Sequence, residues 1–264
     1  MDNATAVRAA DVLVQARLAG RTATLPDELR PTDEDQAYAI QDAGHRALEA
    51  AGRGPLVGYK LGATAAAMQQ VLGIPAPTYG GIPEAGLHHG EASLPLTALQ
   101  APGIECEVVF RLGADVPAAG APYNADSIAE FVDACMAGME IADNRYGDFK
   151  AAGAPLLIAD DFFHAAVVVG PPVSDWRNLD LSSIPGRIVV DGQQIAAGTG
   201  AAVMGNPLNA LAWLANTLAT RGRALTAGQI VFTGSVVPPH WLPPGPADVV
   251  TCFEGLGDVR ARFT

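Results

Sequence analysis

Apolar and polar positions follow one rhythm at the start of the chain and another after it. Val7, Ala10, Leu13, Val14 and Leu18 recur at the spacing of one helical face, which predicts a helix over 4–19. Pro26 and Pro31 break the pattern. Thr32, with Asp35 three residues on, has the form of a helix cap. Ala37, Ile40 and Leu48 then carry a second helical face to about Ala51. Gly52 and Gly54 stop it, so residues 1–55 read as a small helical region.

From Lys60 the runs shorten, β-branched residues accumulate, and Gly and Pro punctuate them. Strands are predicted at 104–110, 156–158, 165–169, 186–190, 230–232, 249–253 and 259–263. Asp191-Gly192 has the form of a two-residue hairpin turn, and Gly255-Leu256-Gly257 of a tight turn joining the last two strands. Two helices interrupt the β pattern. One covers 126–138. The other opens at Asn206-Pro207, with Asn as cap and Pro in the first helical position, and ends at Gly222. Residues 236–246 hold five prolines and read as an irregular surface loop. The predicted class is α+β: helices over 1–55 and a mainly β body over 56–264.

Composition narrows the function classes. The chain has 264 residues, 49% hydrophobic and 17% charged, which excludes a disordered chain and allows a sizeable core. Sixteen Lys and Arg stand against 28 Asp and Glu, a net charge of −12, with no basic run. That argues against nucleic acid or an anionic membrane as partner. Cys106, Cys135 and Cys252 are far apart and form no CxxC, so a reducing compartment fits better than a disulfide framework. The acidic N-terminus lacks a signal-like apolar region, and no apolar run reaches the roughly 18 residues of a membrane span, so the expected location is cytoplasmic. The five histidines show no zinc-helix spacing. Gly-x-Ser-x-Gly, P-loop and dinucleotide fingerprints are absent.

The strongest local signal is Ile104-Glu105-Cys106-Glu107-Val108. On a strand the two glutamates share one face, their Cα atoms roughly 6.5–7 Å apart. Like charges side by side repel, and either water on an exposed face or a divalent cation in a cleft would offset that. Glu140, where the 126–138 helix is expected to give way to an extended segment, offers a third carboxylate for a hard cation. Asp143 and Arg145 are spaced to form a surface ion pair. Lys60, in Gly58-Tyr59-Lys60-Leu61-Gly62-Ala63-Thr64, is either a surface lysine or, if desolvated, an acid or base.

Taken together, these stretches resemble the fumarylacetoacetate hydrolase superfamily, in its 2-oxopent-4-enoate hydratase / 4-oxalocrotonate decarboxylase branch. The matching stretches are GYKLGAT (58–64), AMQQVLGI (67–74), PTYG (77–80), IECEVVFRLG (104–113), GMEIADNR (138–145) and LIADD (157–161), then GNPLNALAWLANTLA (205–219), FTGS (232–235) and FEGLGDVRARF (253–263). They stand in the family's order over most of the chain. The resemblance implies that Glu105, Glu107 and Glu140 hold Mg²⁺ or Mn²⁺ and that Lys60 is catalytic. It implies that Thr64, Thr78, Asp160, Gly234 and Ser235 lie at the substrate, a small 2-oxo acid. The implied fold is a small helical region plus a distorted, barrel-like β domain. The implied activity is a metal-dependent lyase that hydrates an unsaturated 2-oxo acid in aromatic catabolism. Decarboxylation, acylpyruvate hydrolysis and silent oxo-acid binding are the alternatives. A homo-oligomer is expected. Departures from the family pattern fall at Ala65, Thr78, Asp161 and Pro238-Pro239-His240-Trp241.

Overall fold

The computed structural model describes residues 1–264. Helix α1 (Asn3–Leu18) starts at Asp2, whose carboxylate accepts from the Thr5 amide at 2.7 Å, and buries Ala6, Ala9, Ala10, Leu13 and Val14. Helix α2 (Glu34–Leu48) is capped by Asp33, one residue later than the sequence pattern places the cap. Gln36 completes the cap by accepting from the Thr32 amide. The chain then runs through strand β1 (Leu56–Gly62), helix α3 (Ala66–Leu72) and strands β2 (Thr78–Pro83), β3 (Leu87–His89), β4 (Glu91–Leu94) and β5 (Pro102–Leu112).

Two corrections follow. The helix expected over 126–138 is one short turn, α4 (Ala125–Ala129), closed by a reciprocal Asn124–Ser127 cap. From Val132 the chain is strand β6 (Val132–Asp143). Residues 134–143 are buried throughout, because β6 lies between two other strands and is covered on both faces. A strand of that kind loses its polar alternation and is easily read as a helix. The reverse error falls at 156–158, expected as a strand. After α5 (Phe149–Ala152) those residues form helix α6 (Ala154–Ala159), which has Pro155 in its first turn and packs on α2.

Strands β7 (His164–Val169), β8 (Pro185–Val190) and β9 (Gln193–Thr199) follow, then α7 (Pro207–Thr220), capped by Asn206. The chain ends with β10 (Ile230–Ser235), β11 (His240–Trp241), β12 (Ala247–Phe253) and β13 (Gly257–Phe263). The proline-rich stretch is therefore not all loop. Strand β11 pairs with β5, and Val236 and Val237 are buried.

The strands form two mixed sheets, not a closed barrel. One has the order β2-β1-β10-β5-β6-β7-β3, with β11 added beside β5. The other has the order β4-β13-β12-β8-β9. The barrel-like expectation fails because both sheets keep free edges. Apolar residues from α1 and α2 join those of both sheets in one core that runs from Ala6 to Phe263. Fully burying one side chain such as Phe110 or Phe232 contributes about 1.5–3 kcal/mol. No helix is long and apolar enough to cross a membrane.

Candidate active site

Antiparallel pairing of β5 with β6 sets Glu105 opposite Glu140 and Glu107 opposite Gly138. Opposed residues have Cα atoms only about 4.5–5.5 Å apart, so three carboxylates meet at the centre of the larger sheet. One oxygen from each of Glu105, Glu107 and Glu140 lies within 4.8 Å of the others. Glu107 and Glu140 are fully buried, and Glu105 is half-buried at the wall of a cavity.

The compensation is sparse. Glu107 Oε2 accepts from the Gly234 amide at 2.7 Å, while its Oε1 has no partner. Lys60 Nζ lies 3.1 Å from Glu140 Oε1 and also donates to the Phe162 carbonyl. His164 Nδ1 approaches Glu140 at 3.4 Å. Burial and the Glu140 charge push the Glu105 carboxyl up to about 7. Burial, then Glu140 and Glu105, push Glu107 well above the usual range. Burial opposes ionisation of Glu140 too, but Lys60 and His164 overcome it and hold that carboxyl low. Burial holds the His164 imidazole below the usual histidine range, which favours its neutral form at pH 7.

Lys60 is placed by β1, which runs between β2 and β10. Its carbonyl partner sits in an unusual turn. Asp161, Phe162 and Phe163 have φ of +56°, +48° and +68°, a left-handed run that L residues avoid. Gly62 lets the turn approach, since a Cβ there would come 2.2 Å from the Phe162 ring. Gly234 is required twice over. Its φ is +104°, and a Cβ would fall 2.2 Å from Thr64 Oγ1.

The cavity beside the carboxylates has a volume of about 420 Å³. Lys60, Thr64, Glu105, Gly234 and Ser235 border it, so five of the nine anticipated residues come together there. Glu107 and Glu140 lie in the same carboxylate cluster, beneath the cavity wall. The Ser235 hydroxyl is engaged with the β5 backbone, accepting from the Cys106 amide at 3.1 Å. The other two stand behind the wall. Thr78 faces Gly62 across the β1–β2 pair, buried, with an unpartnered hydroxyl. Asp160 binds Arg145 at 2.6 Å and accepts from the Tyr146 hydroxyl at 2.9 Å. The expected Asp143–Arg145 surface pair is not formed. Both residues are buried, and Asp143 accepts from the Gln100 and Ala101 amides instead.

Sequence reasoning missed three groups. His164 was visible only as a histidine at a strand start. In the aromatic wall Phe162 and Phe163 share one turn, but Phe149 and Trp241 come from other elements, and no spacing links the three places. Asp161, bound by Arg17, His45 and the Gly81 amide, draws its partners from three distant segments. Its one signal was the Asp160-Asp161 pair inside an apolar stretch.

Known proteins resemble the chain as follows. The family profile described as Fumarylacetoacetate (FAA) hydrolase C-terminal matches residues 59–264. The chain is 33% identical over 258 residues to a 2-keto-4-pentenoate hydratase of Paraburkholderia xenovorans (strain LB400), covering 97% of this chain and 93% of that one. It is 30% identical over 233 residues to a 4-oxalocrotonate decarboxylase of Pseudomonas putida, covering 86% and 84%. The solved structure of 4-oxalocrotonate decarboxylase from Pseudomonas putida G7, complexed with magnesium and adipate, superposes with a TM-score of 0.91. There the identity is 26%, and the match covers 100% of this chain and 99% of that one.

Proposed function

Because the chain belongs to the fumarylacetoacetate hydrolase family, we propose that it is a divalent-metal-dependent lyase that adds water to an unsaturated 2-hydroxydienoic acid. The observation that carries this is the set of three convergent carboxylates, with Glu107 Oε1 and Glu140 Oε2 buried and left without any partner. Buried anions left this bare are costly, and a hard cation is what such an oxygen set fits. Glu105, Glu107 and Glu140 would hold Mg²⁺ or Mn²⁺. When bound, the ion supplies Lewis-acid chemistry for a chelating 2-oxo carboxylate.

The remaining work falls to the chain's own side chains. Lys60 Nζ has three donor positions, and Glu140 and the Phe162 carbonyl take two of them. The third is free for a substrate, so Lys60 is the group that moves a proton between Nζ and the dienol system or orients the water that adds to it. Gly234, Thr64 and Ser235 border the end of the cavity where the substrate carboxylate would lie. Thr78 and Asp160 act from behind, Asp160 by fixing Arg145 and with it the His164 carbonyl, to which Arg145 donates at 3.2 Å.

A second reading is decarboxylation of a related oxo acid, favoured by the close superposition on a decarboxylase. Turnover of 2-hydroxypenta-2,4-dienoate and of 4-oxalocrotonate with added Mg²⁺ or Mn²⁺ separates the two. Loss of diene absorbance without carbon dioxide supports hydration. Carbon dioxide release from 4-oxalocrotonate alone overturns it. Assembly as a closed homo-oligomer goes with this reading, and light scattering near the 27.1 kDa of one chain would contradict it.

A further inference from the structure

Apart from Lys60 and Glu105, no charged residue borders the cavity. Both stand at the polar end of the cavity: Lys60 contacts Glu140 and the Phe162 carbonyl, and Glu105 belongs to the carboxylate cluster. Away from that polar end the walls are apolar and aromatic. Phe163 meets Phe162, Phe149 and Trp241 edge to face, with ring centroids 5.3, 5.6 and 6.2 Å apart. At the rim Trp241 is 41% exposed, yet it is not loose. Pairing of β11 with β5 sets it opposite Gly103, where a Cβ would come 2.8 Å from the indole. An exposed indole, locked flat at the mouth of an aromatic cavity, is placed to meet a ligand. This wall also includes Pro238 and Pro239, which precede Trp241.

At about 420 Å³, the cavity falls within the usual range for drug-sized ligands, roughly 300–1,000 Å³. A five-carbon dienoate leaves much of it empty. Resting on the hydratase reading above, we propose that the preferred substrate carries an apolar tail, alkyl or aryl, at the end remote from its 2-oxo acid head. Phe163 and Trp241 are the residues that select it. A carboxylate at that end would be desolvated with no cation to pair it, which disfavours dicarboxylic substrates.

The test is a binding series on the Mg²⁺-loaded protein, followed by calorimetry, with 2-oxopentanoate, 2-oxo-5-phenylpentanoate and 2-oxohexanedioate. Hydration of 2-hydroxypenta-2,4-dienoate and of its 5-phenyl and 5-carboxy derivatives is measured in parallel. The phenyl ligand should bind at least about tenfold more tightly than 2-oxopentanoate, and the diacid more weakly than either. Trp241→Ala should reduce the phenyl-to-unsubstituted ratio of kcat/KM by about tenfold. A diacid that binds or turns over as well as the phenyl compound overturns the proposal, even if hydration is confirmed. An ordered binding series without hydration of any dienoate upholds the apolar tail and overturns the hydratase reading. Absence of binding by all three oxo acids overturns both.

Discussion

Two clusters of buried carboxylates, about twenty positions apart along the chain at their nearest members, Glu140 and Asp160, solve the problem of burial in opposite ways. Glu105, Glu107 and Glu140 crowd together with one cation, Lys60, in contact. Asp160 and Asp161 are nearly as deeply buried, but each faces a guanidinium. Arg145 is 2.6 Å from Asp160, and Arg17 is 2.7 Å from Asp161, with His45 at 2.6 Å on its other oxygen. The consequences diverge. Glu105 and Glu107 are pushed up, whereas His45 and Arg17 outweigh burial and hold Asp161 far below the usual carboxylate range. Burial of an acid therefore says little about its role, and compensation says much. The compensated pair fixes the left-handed 161–163 turn, which costs on the order of 1–3 kcal/mol per strained residue. The uncompensated set is the kind of oxygen cluster that a divalent cation would offset.

The largest expected effect tests the open cluster. Lys60→Met should lower turnover by roughly 10²–10⁴ while leaving Mn²⁺ affinity nearly unchanged, because Lys60 is not among the cation's carboxylates. Glu105→Gln should weaken metal binding first, with part of the activity restored by excess Mn²⁺. Steady-state rates across a Mn²⁺ titration would show the split. Equal rescue of both variants, or full activity in Lys60→Met, would remove Lys60 from the chemistry.

Next in size is a test of the closed cluster. Asp161→Ala strands Arg17 and His45 and frees the Gly81 amide, so stability in urea should fall by about 3–5 kcal/mol. The same truncation at Glu107 in metal-free protein should cost much less, since it relieves repulsion. If the two losses were alike, the distinction between compensated and bare carboxylates would collapse.

Protonation separates the clusters more gently. Glu105 has its carboxyl raised to about 7, so below that pH a proton competes with the cation for it. Apparent Mg²⁺ affinity should therefore rise about tenfold from pH 6 to pH 8 in a calorimetric titration. Asp161 behaves in the opposite sense. Its carboxyl is depressed on folding, so the stability it contributes is present above the unfolded value near 4 and is lost only as pH falls below it. The part of the Asp161→Asn stability deficit that comes from this carboxyl should shrink only as pH falls below about 4, outside the pH 6–8 range of the metal titration. A flat Mg²⁺ affinity over that range would contradict the raised carboxyl.

The same contrast explains what the sequence disclosed. The open cluster was legible, because two of its members are neighbours on one strand and period two fixes their common face. Glu140 was identified even though the first half of its strand was misread as helix, because the residues after 138 were expected to be extended. The closed cluster was not legible, because its partners arrive from α1, α2 and the segment after β6. Helices α1, α2 and α7 and strands β5, β7, β8, β10, β12 and β13 were readable from alternation and caps, whereas β1 to β4 and α3 drew no prediction. Strand β6 and helix α6 were misread. Each is apolar nearly throughout, and short apolar runs carry no period to separate strand from helix. Closure of the β body into a barrel depends on edge pairing, which no local pattern encodes.

The smallest effect comes from a neutral group between the two clusters. Thr78 is 1% exposed, and its hydroxyl has no partner, just across the strand pair from Gly62. An unpaired buried hydroxyl costs about 1–3 kcal/mol, far less than an unpaired charge. Thr78→Val replaces the hydroxyl with a methyl of nearly the same shape. If the hydroxyl is bare, the variant should gain up to about 1 kcal/mol in urea unfolding. Because Thr78 stands behind the cavity wall, kcat/KM should change by less than about tenfold, below the usual worth of a positioned acid or base. A loss of stability would show that the hydroxyl has a partner after all, such as an ordered water, and would move Thr78 to the compensated side. A fall in kcat/KM approaching that of Lys60→Met would instead place the hydroxyl at the substrate. The three outcomes are distinct, so this small substitution locates the boundary between the working face of the site and the structure that holds it.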